Sequence, residues 1–281
     1  LAIVASLIIL LIFQYLFPTE RKMIEENIEA ENQIKEVPQE KILDREEIVK
    51  NNKRIYFSES SRIKGSISLI GARFDDVILK DYKDTIKPES RQVILLSPNN
   101  TLNPYFVELG WMSQENINLP NKNSEWQLIE GKELGPESHI TIKWVSPEGI
   151  EFFRKIEIDK DYLITVEQKV TNITNKDISL TQYGRINRTG TPKTSGFYIL
   201  HEGPIAVLNE RLIEIDYDDI IEEGSKSVIS KGGWVGITDK YWLAALIPDQ
   251  RSRIEGGFKA ILKNIEPVSY THLTLPTIQP V

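Results

Sequence analysis

Cysteine is absent from the 281 residues of this chain, and histidine is nearly so. Without cysteine there is neither a disulfide framework nor a zinc site built on thiolates. The histidines, His139, His201 and His272, lie too far apart in the sequence to follow a metal-ligand spacing. The sequence also lacks a Gly-rich phosphate loop, a Gly-x-Ser-x-Gly elbow and a His-Glu-x-x-His motif. We therefore expect no enzyme activity, no cofactor and no metal, and we assign no catalytic or binding residue.

An excess of positive charge is missing as well. The chain has 34 Lys and Arg residues against 41 Asp and Glu residues, and its formal net charge is -7. Binding to nucleic acid needs clustered basic side chains that neutralise phosphates. The charge balance therefore argues against nucleic acid as a partner, and equally against attachment to an anionic membrane surface.

The most apolar stretch is residues 1–17, an uncharged run in which Ser6 and Gln14 are the clearly polar side chains. About 20 apolar residues cross a bilayer as a helix, so the run is slightly short, and because it begins with Leu we expect a few further residues upstream. A cleavable signal peptide needs small residues before its cleavage site, whereas this run ends in bulky residues before Pro18. A buried core helix would need a polar face, which is missing. We predict an uncleaved anchor helix over residues 1–17, with the lipid bilayer as its partner.

Residues 18–54 have the composition of a linker. Between Glu20 and Lys50 there are ten acidic and six basic residues, with a Val-Pro breaker at residues 37–38. Such a segment buries too little apolar surface to offset its ordering entropy. We expect an acidic, mobile tether between the membrane and the next domain, with short helical pieces such as residues 44–49.

From residue 55 the sequence changes to the pattern of strands. Apolar and polar residues alternate over residues 140–144 and 162–171, which is typical of half-buried antiparallel strands. Turn-forming residues separate such runs at residues 97–100, 146–149, 159–161 and 174–177. No long helical pattern lies between the strands, which argues against a parallel α/β sheet. We predict an all-β domain, a large antiparallel sandwich with one core, over residues 55–266.

The last residues differ in composition from this domain. No charged residue occurs after Glu266, and the change is abrupt. Residues 267–281 resemble a translated sequencing adapter or a frame-shifted end more than evolved protein, and a genuine continuation is the alternative. We treat them as a tail of doubtful origin and assign them no function, including His272.

Acidic pairs and glycines in the domain have simple structural interpretations. Neighbouring residues of a strand point to opposite faces, so we expect Asp75-Asp76 and Asp218-Asp219 to lie on solvated surface. Gly71 and Gly110 flank predicted strands, and we expect them in turns or bulges.

Two histidines lie inside the predicted domain. His139 falls on the polar side of its strand, and we expect it to be exposed. His201 and Glu202 are neighbours in a predicted loop, where they form the one plausible pair for acid–base chemistry on a sugar. A plain turn is the favoured interpretation.

Residues 231–248 predict a central hairpin with a turn at residues 238–240. Trp234, Trp242 and Leu246 are its expected buried anchors. The pair Gly232-Gly233 is expected to let the backbone bend or approach a neighbour closely.

This hairpin carries a family resemblance. GGWVGITDKYWLAALIP at residues 232–248 resembles the Gly-Gly-Trp…Lys-Tyr-Phe…Ile-Pro hairpin of YidC-type membrane protein insertases. KGSISLIGARFDD at residues 64–76 is similar to the first periplasmic strands of that family. LLSP at residues 95–98 and YFVELGW at residues 105–111 match its next segment in the alphaproteobacterial form. The resemblance covers residues 1 to about 266, and the order of the motifs makes it specific.

The resemblance implies an architecture. A first transmembrane helix with a cytoplasmic N-terminus is followed by a periplasmic β-supersandwich similar to galactose-mutarotase and carbohydrate-binding folds. A five-helix insertase core should come next, and this sequence ends before it, so no residue can be assigned to insertion itself. The implied location is the bacterial inner membrane with the domain in the periplasm. The implied partners are Sec translocon subunits and nascent membrane proteins.

Two alternatives stay open at this point. One is a membrane-anchored sugar-binding or sugar-epimerising sandwich, and the other is an anchored interaction domain. DNA downstream of residue 266 would separate them, because an insertase requires several further hydrophobic spans.

The topology gives the first testable prediction. The acidic linker lacks the Lys and Arg excess that marks cytoplasmic flanks, so the domain should lie outside the cytoplasm. Alkaline phosphatase fused after Glu266 should be active in a Gram-negative host. A fusion that is expressed but inactive would contradict this topology.

Overall fold

The computed structural model of the chain describes residues 42–191, 201–239, 241–263 and 266–274. The anchor predicted at residues 1–17 and the linker up to residue 41 lie outside this part. None of the helices described is long and apolar enough to cross a membrane. The chain from Ile42 onwards belongs to one compact unit.

Strands dominate the described residues, together with two short helices. The helices are α1 (Arg45–Asn51) and α2 (Tyr217–Glu223). The strands are β1 (Arg54–Tyr56), β2 (Ile63–Ser68), β3 (Phe74–Lys83), β4 (Gln92–Leu96), β5 (Tyr105–Met112), β6 (Gln127–Glu130), β7 (Ile140–Val145), β8 (Ile150–Ile158), β9 (Ile164–Asn172), β10 (Thr181–Thr189), β11 (Gly203–Leu208), β12 (Arg211–Glu214), β13 (Ser225–Lys231), β14 (Trp234–Thr238), β15 (Leu243–Leu246), β16 (Arg253–Lys263) and β17 (Glu266–Thr274).

These strands form one large sheet and two small ones. The nine-stranded sheet runs β1-β2-β3-β5-β10-β17-β16-β13, with β4 paired to β3. One four-stranded sheet runs β6-β7-β8-β9, and the other runs β12-β11-β14-β15. All pairings between the named strands are antiparallel. The prediction of an all-β, antiparallel architecture is confirmed.

The predicted period-two patterns occur in β7 and β9, and local turns fix the register of β8, which lies between them. In β8, buried residues alternate with partly exposed ones along the strand. The turn before it is closed by Ser146, whose Oγ accepts a hydrogen bond from the Ile150 N–H at 3.1 Å. The turn after it is closed by Asp159, whose Oδ1 accepts from the N–H groups of Asp161 at 2.7 Å and Leu163 at 2.9 Å. Side-chain acceptors of this kind are the usual chemistry of Asx and Ser turns.

The buried apolar side chains form two clusters rather than the single core expected. The larger one lies between the nine-stranded sheet and the β6–β9 sheet, and it includes Ile67, Ile142 and Phe152. The smaller one lies between β16 and the β11–β15 sheet and includes Val235 and Phe258. The second layer consists of two separate sheets, and the β11–β15 sheet contributes to both clusters, Ile237 to the larger one and Val235 to the smaller one.

Regular secondary structure lies at both ends of the predicted domain: helix α1 just before residue 55, and strand β17 from residue 266 onwards. The short helix expected near residues 44–49 is present as α1, with the Asp44 carboxylate accepting from the Glu46 N–H at 2.8 Å as an N-cap. At the other end, β17 begins at Glu266 and pairs with β10 and β16. The expected boundary at residue 266 therefore coincides with the start of a strand.

The expectation that Asp75 and Asp76 lie on solvated surface is wrong. Both are buried, at 5% and 2% exposure. Successive residues of β3 do point to opposite faces, but both faces are covered here. Asp75 binds Arg54 of β1 and Asp76 binds Arg45 of α1. Burial raises the pKa of Asp75, and the Arg54 charge opposes this rise.

Asp218 and Asp219, by contrast, are exposed as expected, although they lie in the first turn of α2 rather than in a strand. Negative charge is favourable there, at the positive end of the helix dipole.

Gly71 lies in a turn as expected, but Gly110 does not. Gly110 is an interior residue of β5, where it pairs with Tyr183 of β10. A Cβ atom at this position would lie 2.7 Å from the Tyr183 ring. The glycine thus makes room for an aromatic ring on the sheet surface.

The buried carboxylates give a stability prediction. Asp75→Asn should lower the free energy of unfolding by about 3–5 kcal/mol, because Arg54 keeps its buried charge and loses its carboxylate. Asp218→Asn removes the same charge from an exposed site and should change it by less than about 0.5 kcal/mol. Urea unfolding followed by tryptophan fluorescence measures both, and equal midpoints would show that the buried pair contributes nothing.

Candidate functional site: an apolar groove between two sheet edges

An apolar groove of about 500 Å³ lies where the three sheets meet. The nine-stranded sheet contributes residues such as Val77, Leu79 and Val107. The two small sheets contribute β9 with the residues just before it, and β15 with the residues just after it. Among the residues that line the groove, Asp249 is the single charged one. The groove therefore suits an apolar ligand.

Two strands that border the groove are sheet edges. Among the described strands, β9 pairs with β8 alone and β15 pairs with β14 alone. An edge strand presents backbone N–H and C=O groups on its free side, which can pair with another extended chain. The groove is thus bordered by two strands that have pairing partners on one side only among the strands described.

Large apolar side chains remain exposed along both edges. Leu163 is 53% exposed beside β9, and Leu243 and Ile247 are 47% and 60% exposed at β15. Single exposed apolar residues are ordinary on protein surfaces, but a cluster around a groove is typical of a binding site.

The hairpin that carries β15 is present, and its strands β14 and β15 pair as predicted. Its expected central position is wrong for β15, which lies at the edge of its sheet among the described strands. Its Gly232 and Gly233 have φ values of +63° and +96°, and a Cβ atom on Gly233 would lie 2.2 Å from the Val207 carbonyl oxygen. The close backbone approach inferred for this pair is confirmed. At the hairpin tip, Nη1 of Arg188 donates to both carboxylate oxygens of Asp239 at 2.7 and 2.8 Å. This ion pair ties the tip to β10.

The expected anchors of this hairpin are only partly correct. Trp234 and Trp242 are half-buried, whereas Val235 and Ile237 are fully buried. Residues alternate faces along β14, so the face with Val235 and Ile237 packs inward and Trp234 lies opposite to it. Trp242 packs edge-on against Tyr82 with ring centroids 4.8 Å apart. Leu246 is half-buried and lines the groove.

Beneath the groove lies a residue that sequence reasoning missed, Arg154 of β8. It is 1% exposed. Its Nε–H donates to Gln168 Oε1 at 3.0 Å, Nη1 donates to the Ala72 carbonyl at 3.1 Å, and Nη2 donates to the Leu109 carbonyl. Burial lowers the pKa of Arg154 to about 9, so it stays charged near neutral pH.

The guanidinium of Arg154 also lies against two indole rings. Its Cζ atom is 4.6 Å from the Trp126 ring centroid and 5.2 Å from that of Trp111. These two tryptophans are 2% and 3% exposed, so they are the buried tryptophans of the domain core. The position of an arginine in an alternating strand does not reveal its face, and only its apolar neighbours Phe152 and Ile156 hint that it points inward.

The histidines lie elsewhere. The His139 side chain is 39% exposed, as expected, and its Nε2 is 3.1 Å from a Glu130 carboxylate oxygen. The His201 Nε2 is 3.0 Å from the Pro204 carbonyl oxygen, and its Nδ1 is 3.5 Å from the Asp216 carboxylate. Neither histidine lines the groove. The described residues also contain no cluster of His, Cys, Asp or Glu that would hold a metal ion.

The fold and groove together define an all-β, antiparallel domain with an apolar groove between its sheets. The family model for the YidC periplasmic domain matches residues 59–280. The chain therefore belongs to the YidC periplasmic domain family, and the resemblance read from its motifs is confirmed.

Curated relatives agree with this assignment. The chain is 44% identical over 207 residues to the membrane protein insertase YidC of Rickettsia akari, covering 73% of this chain and 37% of that protein. It is 42% identical over 207 residues to the same protein of Rickettsia bellii, with the same coverage. It is 41% identical over 208 residues to that of Granulibacter bethesdensis, covering 72% of this chain and 36% of the relative. The chain thus spans somewhat more than a third of the length of these relatives.

The environment of Arg154 gives a second stability prediction. Arg154→Met keeps an apolar chain of similar length but leaves three acceptors without a donor. Each buried unsatisfied group costs about 1–3 kcal/mol, so the free energy of unfolding should fall by about 3 kcal/mol or more. Arg251→Met is the control, because that side chain is 90% exposed. Urea unfolding of the two variants measures the difference, and an Arg154→Met variant as stable as the parent would refute the role given to these hydrogen bonds.

Proposed function

We propose that this chain is the membrane-anchored periplasmic part of an insertase for membrane proteins. Family membership and the names of its relatives support this role. The uncharged run at residues 1–17 supports an anchor in the bacterial inner membrane, followed by the acidic linker and the periplasmic domain. The nine-stranded sheet with two smaller sheets packed on it supports the finer assignment to a galactose-mutarotase-like supersandwich.

The groove is the part of this domain that we assign to function. We propose that it holds an extended apolar segment of a client membrane protein before that segment reaches the bilayer. The observation that carries this proposal is that β9 and β15, which are edge strands within the described part of the chain, lie beside an apolar surface. An added strand gains main-chain hydrogen bonds from an edge, and its side chains gain contacts from the apolar lining.

This mode of binding suits the chemistry of such clients. Membrane-spanning segments share apolar character rather than a common sequence. Main-chain hydrogen bonds do not depend on side-chain identity, and apolar contacts depend mainly on buried area. A groove with one charged lining residue, Asp249, also gives no strong preference for charged peptides.

A sugar-binding or epimerising role has less support. An epimerase needs an acid and a base placed around its substrate. His201 and Glu202 lie outside the groove, and the carboxylate measured beside the His201 ring is that of Asp216. The proposal that Sec translocon subunits are further partners of the domain surface is supported by the family resemblance.

Site-specific crosslinking tests the groove. A full-length insertase would carry this chain in place of its matching region, with a photo-crosslinking amino acid at Leu163 or Leu243. Both positions should crosslink to a newly made inner-membrane protein. Ile86 is the matched control, because it is apolar and fully exposed but lies outside the groove.

The outcomes of this crosslinking experiment test the groove assignment and the insertase role separately. Equal crosslinking from Ile86 would show that the groove is not selective. If no groove position crosslinks while the hybrid still supports growth of insertase-depleted cells, the groove assignment fails and the insertase role stands. A hybrid that is made and inserted but supports no growth would count against the insertase role.

A further inference from the structure

The two strands that border the groove begin beside the same point of the large sheet. Strand β9 begins two residues after Tyr162, and β15 begins directly after Trp242. The Tyr162 hydroxyl donates to Asp81 Oδ2 of β3 at 2.7 Å. The Trp242 ring packs edge-on against Tyr82 of β3, with ring centroids 4.8 Å apart. Because Asp81 and Tyr82 are neighbours, one short piece of β3 contacts the beginning of both borders.

A bulge in β3 explains how two neighbouring residues serve both borders. In a regular strand, neighbouring side chains point to opposite faces. Between Leu79 and Lys83 the register of β3 against β4 shifts, and residues 80–82 have no partner in β4 in the pairing described. The Gln92 Nε2 group donates to the Lys80 carbonyl at 2.8 Å and so connects the two strands at the bulge. Bulges redirect side chains and are frequent beside functional sites.

The backbone of Tyr162 is strained. Its φ of +73° lies in the left-handed region, which bulky residues rarely occupy and glycine occupies easily. Such strain persists where the surroundings hold the residue, and it is concentrated at functional sites. Here Arg62 and Asp81 hold the side chain: Arg62 Nε donates to Asp81 Oδ2 at 2.7 Å, and Arg62 Cζ lies 4.4 Å from the centroid of the Tyr162 ring. The turn before β9 is thus fixed from the large sheet.

Protonation states favour the hydrogen bond between Tyr162 and Asp81 near neutral pH. Burial and this hydrogen bond raise the pKa of Tyr162 to about 12, so the hydroxyl keeps its proton. Hydrogen bonds from Tyr162 and Arg62 lower the pKa of Asp81, so its carboxylate is charged. The side chains of Arg62 and Asp81 are 43% and 44% exposed, and exposed ion pairs add little to the stability of a fold. Variants of Asp81 should therefore still fold.

We propose that Asp81 and Tyr82 are positioning residues that set the spacing between the two borders of the groove. Asp81 acts through Tyr162 on β9, and Tyr82 acts through Trp242 on β15. A fixed spacing favours binding, because pre-organised borders lose less conformational freedom when a segment binds. The benefit to client binding rests on the proposed function of the groove, whereas the spacing itself does not.

A distance measurement by pulsed electron paramagnetic resonance tests the spacing. The chain has no cysteine, so Leu163→Cys and Leu243→Cys create two unique sites for spin labels. Both side chains are half-exposed and line the groove, one at each border. The 281-residue chain, reconstituted in phosphatidylcholine nanodiscs, should give one narrow distribution of distances.

Release of either contact should broaden this distribution, because the released border then samples more conformations. Asp81→Ala and Tyr162→Phe both remove the hydrogen bond, and they should broaden the distribution to the same extent. Tyr82→Ala removes the ring contact and should broaden it as well. The conservative variant Tyr82→Phe keeps the ring contact and should restore the width of the parent.

Matched controls separate this effect from general loosening of the domain. Asp84→Ala and Tyr56→Ala make the same changes at exposed positions that do not line the groove. Urea unfolding midpoints near that of the parent would show that the variants are folded. If Asp81→Ala and Tyr82→Ala give the same width as these controls, the proposal is overturned.

Crosslinking to a client shows whether the spacing serves binding. In the full-length hybrid, Asp81→Ala and Tyr82→Ala should lower crosslinking from Leu163 and Leu243 severalfold, and Asp84→Ala should not. Broadened distances with unchanged crosslinking would overturn the role in client binding. If the parent hybrid does not crosslink from either position, the proposed function of the groove fails, and the distance measurement alone decides whether β3 sets the spacing.

Discussion

The buried guanidinium of Arg154 is the interaction on which the arrangement of the sheets depends. A buried cation must have its donors satisfied, because an unpaired buried charge is costly. Here the acceptors come from three places: the turn before β3 (Ala72), β5 (Leu109) and β9 (Gln168). Satisfying one side chain therefore fixes the position of the β6–β9 sheet relative to the large sheet. Trp111 and Trp126 lie against the guanidinium and add cation–π contacts to these bonds.

The groove follows from the same arrangement. Two small sheets share one large sheet as their packing partner, and β14 contributes to both clusters of buried side chains. Because the small sheets are separate, β9 and β15 are edge strands among the strands described, and both border the groove. A continuous second sheet would leave no such edges there. Gln168 belongs to this lining and also accepts from Arg154, so the groove is connected directly to the most constrained part of the core.

Sequence reasoning succeeded where structure is determined locally. Alternation over β7 and β9 and the turns at Ser146 and Asp159 depend on residues close together in the chain. The hairpin of β14 and β15 and its glycine pair were predictable for the same reason. The family resemblance was readable because its motifs lie in these local elements.

Long-range charge pairing was not predictable in this way. Asp75 and Asp76 look like surface residues until Arg54 and Arg45, more than twenty positions earlier, are placed against them. The inward direction of Arg154 likewise depends on acceptors up to 82 positions away. The groove is a product of how separate sheets meet, and no single stretch of sequence encodes it. Alternation identified which residues of β14 share a face, but not which face is covered, so Trp234 was assigned to the wrong side.

The position of helix α1 determines which contacts of the domain would first bear a force on the chain. It lies where the chain enters the domain, and Arg45 on it binds the buried carboxylate of Asp76. Just before it, the Leu43 N–H donates to the Asn100 carbonyl at 2.8 Å. Tension applied along the chain from its N-terminal side therefore reaches these contacts before it reaches β1, the short strand at the sheet margin. These contacts would have to break before a force from that side could pull β1 away from β2.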